Sequence, residues 1–430
     1  MTSELEKAAL EYHMKNGVGN GKIEIIPKVS VGTREELSLA YTPGVAVPCL
    51  AISTDEQKVY DYTVKGNTVF VVSDGSAVLG LGNIGCKASL PVMEGKALLF
   101  RIFGGIDAYP IIISSQETEE IIRIVKMISP GAGGVNLEDI SAPRCFEIEK
   151  RLSEELDIPV FHDDQHGTAI VTLAGLINAL KLAGKNIKDI KTVINGSGAA
   201  GASIAKLLLF YGARNIIMCD RAGIIYQGRP SHMNPSKEEI ALMTNPSGEK
   251  GRLEDAVKNA DVFIGVSAKG ALTAAMIRKM AAKPIIFAMA NPDPEILPAE
   301  AAEAGAFITA TGRSDFPNQV NNCLGFPAIF RGLLDVRAKR ITDGMKLAAA
   351  LALSDFISIK ELTIDRIIPS VYDFEAFAYV AEAVGRQAVK EGAARINVPE
   401  GKIFGSMLNI LENSKKRFFK PGNPPSQTWN

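Results

Sequence analysis

Cysteine is sparse in this chain: five residues in 430 (Cys49, Cys86, Cys145, Cys219 and Cys323), odd in number and with no CxxC pair. That pattern supplies neither a disulfide framework nor a thiolate zinc site, and it fits a reducing, cytoplasmic setting. An excess of charge of either sign is missing as well. Forty-seven Lys and Arg against 48 Asp and Glu leave a net charge of −1, which gives no electrostatic case for nucleic acid or an anionic membrane as partner. No uninterrupted apolar run approaches the roughly 18 residues of a membrane-spanning helix. The opening stretch MTSELEKAALEYHMKNG carries acids and lacks the apolar segment of a secretory signal. Internal repeats and low-complexity tracts are absent too. What is present is 47% apolar and 22% charged residues over a length that suits two or three domains.

Acids concentrate in residues 135–169. VNLEDI holds Glu138 and Asp139, and VFHDDQHGTA holds Asp163 and Asp164. Each cluster follows a short apolar run that reads as a strand (134–137 and 158–161) and precedes a helical pattern. Four carboxylates therefore sit at the ends of parallel strands, where open α/β sheets form their ligand crevices. Crowded like charges raise one another's pKa unless a cation or a shared proton relieves them. Oxygen-only ligands suit Mg²⁺ or Mn²⁺. The competing reading makes Asp164 a cap for a helix beginning after Gly167, and Glu138 and Asp139 solvated acids before a helix near Ser141. His162 and His166 are spaced for zinc only if they share a helical face, and a helix start after Gly167 works against that.

In chain order, residues 2–17 read as an amphipathic helix with Thr2 or Ser3 as cap and Gly17 as terminator, an arm for a partner subunit or for its own domain. Pro43-Gly44 predicts a type II turn that fixes Tyr41 beside a chain reversal. Residues 67–85 read as a hairpin turning at Asp74-Gly75 and ending in a GxGxxG run, Gly80 to Gly85. That run is not read as a dinucleotide site, because Pro91 interrupts any following helix and a hairpin strand does not open a βαβ unit. Helix 93–106 carries Lys96, which becomes a base only if its surroundings supply an uncharged amine.

Residues 191–212 are a strand, a glycine run and an apolar helix. Gly196, Gly198 and Gly201, with Ser197, Ala199 and Ala200 between them, satisfy GxGxxG in the context that cradles a pyrophosphate. Asp220 follows Gly201 by 19 residues, at the spacing of a ribose-binding acid. It points to NAD, while the adjacent Arg221 suits the 2′-phosphate of NADP; the balance leans to NAD. Strands and helices keep alternating to residue 312, with Asn291 just past one strand end and Asn321-Asn322 following another by the short loop RSDFPNQ, both sites facing one crevice. Beyond 325 the chain is helical, and the last ten residues read as loose. The expected architecture is α/β: a first domain over 1–162, a Rossmann-type doubly wound parallel sheet over 163–340, and a helical C-terminal region over 341–430 packing back on both.

Taken together and in order, YTPGVA, GLGNIG with PVMEGKA, NLEDI, HDDQHGTA, INGSGAAG, ANPDPE and SDFPNQVNN with GFPAIFRGLLDVRA resemble the malic enzyme family in its short bacterial and archaeal form. The resemblance runs from about residue 35 to 340. It implies oxidative decarboxylation of malate to pyruvate and CO₂ with NAD or NADP and Mg²⁺ or Mn²⁺, in a homodimer. Carried over by position, it implies Glu138, Asp139 and Asp164 as metal ligands, Lys96 as general base and Tyr41 as general acid. It further implies Asp163 as a carboxylate assisting proton transfer, and Asn291 and Asn322 as contacts to the substrate carboxylate. One departure stands out: Ala77 lies where long-form members carry a substrate-binding arginine. Two other functions share these motifs, a malolactic conversion of malate to lactate with bound NAD and a catalytically silent nicotinamide-sensing scaffold.

Overall fold

The computed structural model describes residues 3–14 and 20–419. Thr2 and Gly17, expected to bound the first helix, and the final residues lie outside that set; the helix itself spans Ser3–Met14. Two sheets organise the chain. The first contains β1 (Thr68–Ser73), β2 (Asp107–Ile112), β3 (Gly134–Leu137) and β4 (Val160–His162) in the order β2-β1-β3-β4, every pair parallel. The second contains β5 (Lys191–Asn195), β6 (Asn215–Asp220), β7 (Gly223–Ile224), β8 (Val262–Gly265), β9 (Ile285–Ala288) and β10 (Ile308–Thr311). Its order is β10-β9-β8-β5-β6-β7, parallel except for the short β7. The strand reversal around β5 is that of a doubly wound sheet, and it opens the crevice at the end of β5.

Residues 67–85 do not form the expected hairpin. They supply one strand, β1, which pairs in parallel with β2 and β3. Asp-Gly is a strong local turn signal, but Val69, Val71 and Val72 are fully buried, and such a two-sided strand needs parallel neighbours covered by helices. Asp74 instead ends the strand, its buried carboxylate 3.1 Å from Arg144 and accepting from Ser76. Pro91 does not stop a helix either: Cys86–Gly104 runs through it. The ring removes one bond near the helix start, a cost of about 3 kcal/mol. Burial of Met93, Phe100 and Phe103 on the same helix offsets that cost, at about 1.5–3 kcal/mol for each side chain. The type II turn at Pro43-Gly44 is also absent. The Thr42–Pro43 peptide is cis, and Gly44 is not among the glycines of positive φ that such a turn requires.

Two helix boundaries differ as well. The helix expected after Gly167 starts at Asp163 and runs to Ala183, and the one expected near Ser141 starts at Arg144. Asp163–Ala183 is long and apolar enough to cross a membrane by those two criteria, yet most of it is buried inside the protein, the situation of a core helix. It packs against the helices Ala199–Tyr211 and Asp343–Phe356. The C-terminal helices close on the first unit through aromatic contacts. Phe377 stacks on Phe103 at 4.7 Å, and Phe326 meets Phe100 edge-on at 4.8 Å.

Candidate active site

The register of the first sheet explains why its acids converge. Leu137 pairs with His162, so Glu138 and Asp163 leave neighbouring strands side by side. Asp139 then takes φ 54°, a left-handed conformation that asparagine and aspartate tolerate better than other side chains. Its carbonyl accepts the Ala77 N–H at 2.9 Å and its own N–H donates to Asp164 Oδ2 at 2.9 Å. One carboxylate oxygen from each of Glu138, Asp139 and Asp164 lies within 4.8 Å of the others. Glu138 and Asp139 are buried, whereas the Asp164 side chain is 35% exposed and opens the cluster to the crevice. Burial and the neighbouring carboxylates raise Glu138 and push Asp164 up to about 6, against the pull of Lys96. Three hard oxygen donors under mutual repulsion fit a divalent cation, which would remove the repulsion on binding. Of the zinc alternative nothing remains among the described residues, since the possible metal group consists of these acids alone.

Lys96 enters from the Cys86–Gly104 helix, 7% exposed, with its Nζ 2.6 Å from Asp163 Oδ2 and 2.9 Å from Glu138 Oε1. Phe326 lies beneath the ammonium at 4.2 Å. Burial works against the charge, but Asp163 and Glu138 outweigh it and hold the amine protonated well above its ordinary range. With both carboxylates against it and no cation beside them, the amine is held in its charged form. Asp163, fully buried, is pushed up to about 7 by that burial, partly offset by Lys96. Asn322 Nδ2 donates to the same Asp163 oxygen. Asn291 is exposed, with its carbonyl against Gly80 and its amide against Gly312. A Cβ on Gly80 would lie 2.3 Å from the Asn291 oxygen, so Gly80 serves close packing between chain segments, while Gly82 and Gly85 have open space there and take positive φ. Tyr41 is 70% exposed, and its hydroxyl makes no hydrogen bond among the described residues.

Several supporting residues escaped the motif reading. Gly167 leaves room for the Asp163 carboxylate, because a Cβ there would sit 2.0 Å from Oδ1. Asn136 donates to Glu138 Oε2 at 2.9 Å. Glu149 accepts from the His162 N–H at 3.0 Å and pairs with His166 Nε2 at 2.8 Å, which ties the Arg144–Glu155 helix to the strand end bearing Asp163 and Asp164. A mid-helix glycine in HDDQHGTA was the one available signal for any of these.

Burial favours the neutral form of Glu149, but the contact with His166 prevails and brings the carboxyl down to about 2. Burial also pulls the His166 ring toward neutrality, against the attraction of Glu149; the charge of His166 first, then its hydrogen bond and the charges of Lys346 and His162, hold the acid ionised. A depressed carboxylate contributes stability that is complete above its unfolded pKa and is lost as pH falls through the folded one. Thermal denaturation between about pH 4.5 and 2.5 should therefore show Glu149→Gln losing less stability on acidification than the parent, by roughly 2 kcal/mol.

The second sheet supplies a separate cleft of about 1360 Å³ lined by Asn195, Gly196 and Ser197 at one end and by Asp220 and Arg221 at the other. Gly196 has φ 125°, and a Cβ on Gly201 would lie 1.9 Å from the Gly196 carbonyl, so the loop folds tightly onto the Ala199–Tyr211 helix. Nothing lies within 4 Å of where a Gly198 Cβ would be, which leaves open room at the helix N-terminus beside Ala199 and Ala200. That cradle fits a dinucleotide pyrophosphate. Buried Glu295 braces its far side, accepting from Ser267 N–H at 2.8 Å and from Ala290 N–H at 3.0 Å. Burial would raise Asp220, but Arg229 and Lys237 hold it well below the usual carboxylate range.

Both halves of the chain have counterparts among known proteins. The pattern of the malic enzyme N-terminal domain matches residues 20–153, and that of the malic enzyme NAD binding domain matches residues 165–389. The bifunctional malic/malolactic enzyme of Bacillus subtilis is 57% identical over 92% of this chain and 95% of its own. The NAD-dependent malic enzyme of Geobacillus stearothermophilus is 57% identical over 90% of this chain and 80% of its own. The NADP-dependent malic enzyme of Rhizobium meliloti is 48% identical over 95% of this chain but only 55% of its own length. The crystal structure of malic enzyme from Pyrococcus horikoshii Ot3 superposes with a TM-score of 0.92 at 50% identity, covering 96% of this chain and 97% of that one. With patterns for both domains and relatives at this identity over nearly the whole length, the chain belongs to the malic enzyme family.

Proposed function

We propose that this protein converts malate to pyruvate and CO₂ while reducing NAD or NADP, with a divalent cation held by Glu138, Asp139 and Asp164. The observation that carries this reading is the buried Lys96, paired with both Asp163 and Glu138 at the edge of the three-acid cluster. When bound, the cation would supply a Lewis acid for decarboxylation and the dinucleotide a hydride acceptor. Lys96 must first shed a proton to act as a base. Asp163, buried and already hydrogen-bonded to Nζ, is the group placed to receive it. The neutral amine then takes the proton from the malate hydroxyl. Asn322 keeps Asp163 oriented, and Asn322 and Asn291 offer amide donors to a substrate carboxylate. Tyr41 supplies the proton that the enol carbon needs after CO₂ leaves. The test is malate-dependent formation of reduced nicotinamide and pyruvate by the purified protein with Mn²⁺, compared with and without a chelator. Lactate formation with no net reduced cofactor would instead favour the malolactic reaction, which the name of the Bacillus relative includes.

We infer further that the working form is a homodimer. The helices Arg34–Ala40 and Ala46–Thr54 bury no residue, and Ile25, Leu39, Tyr41, Val47 and Leu50 are each more than two-thirds exposed. So large an apolar face marks an interaction surface, and a second copy covering it would bring Tyr41 of one subunit toward Lys96 of the other. Tyr41→Phe is expected to leave oxidation largely intact and to impair the steps after it. A shared site makes a sharper prediction. Mixing inactive Lys96→Ala protein with Tyr41→Phe protein under exchange conditions should restore turnover, because each hybrid dimer regains one complete pair; no recovery would place both groups in one chain. The free state of all five cysteines supports the proposed cytoplasmic setting.

A further inference from the structure

Asp139 offers its carboxylate to the three-acid cluster from a backbone at φ 54°, a conformation that a residue other than glycine keeps only where its surroundings fix it. What fixes it is a buried knot of polar groups behind the cluster. The segment that follows β1 runs beside residues 139–141, and two hydrogen bonds join them on either side of Ile140. The Ala77 N–H donates to the Asp139 carbonyl at 2.9 Å, and the Ser141 N–H donates to Ser76 Oγ at 2.9 Å. The Ser76 hydroxyl is buried; it also donates to Asp74 Oδ1 at 2.6 Å and accepts from Arg144 Nη2 at 3.0 Å. A serine hydroxyl has one donor and two acceptor positions, and here each is used.

Arg144 closes the knot. Its Nη2 lies 3.1 Å from Asp74 Oδ2 and donates to Ser141 Oγ at 3.1 Å, while its Nη1 donates to the Gln116 carbonyl. Asp74 is buried and otherwise accepts from the Ser76 N–H and hydroxyl, so the guanidinium is the cation that offsets its charge away from water. One side chain thus ties together the chain at Asp74–Ser76, at Gln116 and at Ser141. Neither Ser76 nor Arg144 belongs to the possible metal group; what they hold is the backbone from which Asp139 joins it.

Resting on the metal-dependent reading above, we propose that Ser76 and Arg144 are positioning residues for the divalent cation, holding residues 139–141 so that Asp139 faces Glu138 and Asp164 before any ion arrives. The bonds from Ala77 and to Ser76 keep the turn from relaxing to a right-handed conformation, which would carry the carboxylate away from its two neighbours. Groups behind metal ligands commonly set affinity by about 10–100-fold. Charge alone points the other way. Arg144 is a positive charge close to a cation site, and its removal also leaves Asp74 uncompensated, so by Coulomb attraction an Arg144 variant would bind a cation more tightly. Positioning requires it to bind more weakly.

Titration of the metal-free, full-length protein with Mn²⁺, following the free ion by electron paramagnetic resonance, tests this apart from turnover; calorimetry with NAD⁺ and with NADP⁺ is the control. Ser76→Ala, which changes no charge, should weaken Mn²⁺ by about 10–100-fold and leave both dinucleotides within about twofold of the parent. Arg144→Gln should weaken Mn²⁺ by about tenfold or more, against the direction its charge sets. Should Ser76→Ala prevent folding, the more exposed Arg144→Gln decides. A purely structural role would lower both melting temperatures and leave the Mn²⁺ affinity of the folded variants unchanged. That result, tighter Mn²⁺ binding by Arg144→Gln, or an equal loss of Mn²⁺ and dinucleotide overturns the proposal while the malic enzyme reading stands. A parent that binds no Mn²⁺ removes the metal site and its positioning together.

Discussion

Lys96→Ala is expected to lower malate oxidation by about 10²–10⁴-fold, the usual contribution of a positioned general base, with the affinity for dinucleotide unchanged. The reasoning is geometric. Among the described residues Lys96 is the amine paired with both Asp163 and Glu138, and removing it leaves two buried carboxylates, one of them a proposed metal ligand, without their cation. Metal-free Lys96→Ala protein should therefore also lose stability, because an uncompensated buried charge costs about 3–5 kcal/mol. Adding Mn²⁺ should return part of that stability by relieving Glu138. Turnover should stay lost, since a metal ion cannot accept the hydroxyl proton in place of the amine. Single-turnover absorbance of the reduced nicotinamide, together with melting curves with and without Mn²⁺, checks both statements. Undiminished malate oxidation by the purified variant would remove Lys96 from the base role.

The second large effect is at Asp164. Asp164→Asn keeps an acceptor for the Asp139 N–H and removes one of the three charges. Loss of a Lewis acid is worth several kcal/mol of transition-state stabilisation, so turnover should fall by about 10³-fold. Stability should move the other way. The carboxyl is held at about 6 by burial and its neighbours, above its unfolded value, so at neutral pH its ionisation penalises the folded state. Discounted for the opening of this side chain to solvent, the gain on substitution is about 1 kcal/mol in metal-free protein. Melting in chelator should show a slightly more stable Asp164→Asn protein whose response to Mn²⁺ has vanished. A destabilised variant that still responds to Mn²⁺ would mean that Asp164 caps its helix and binds no ion.

The acids of the second prediction were legible in the sequence, because EDI and HDDQ are compact clusters and strand-end acids need only local context to be placed, whereas the role of Lys96 came only through the resemblance carried by PVMEGKA. The glycine loop at 196–201 was legible for the same reason. What the sequence concealed depends on distant partners. The charge state of Lys96 is set by Asp163, 67 positions away in the chain, and that of Asp220 by Arg229 and Lys237 from a following loop and helix. Asp74-Gly75 and Pro91 misled in the opposite direction. Each carries a strong local preference that burial of a whole strand or helix overrides. Gly167 was taken for a boundary because glycine is uncommon inside helices. Its position is instead explained by the Asp163 carboxylate lying against it.

The helix Asp163–Ala183 begins with two of the clustered acids and continues as the buried support of the helix that follows the glycine loop. It therefore acts as a ruler between two chemistries, setting both their spacing and their phase. Its first turn cannot rotate without turning the body on which the dinucleotide cradle rests. One residue inserted within it would swing the acids by about 100° and advance them by about 1.5 Å, so this segment admits changes of side chain far more readily than changes of length.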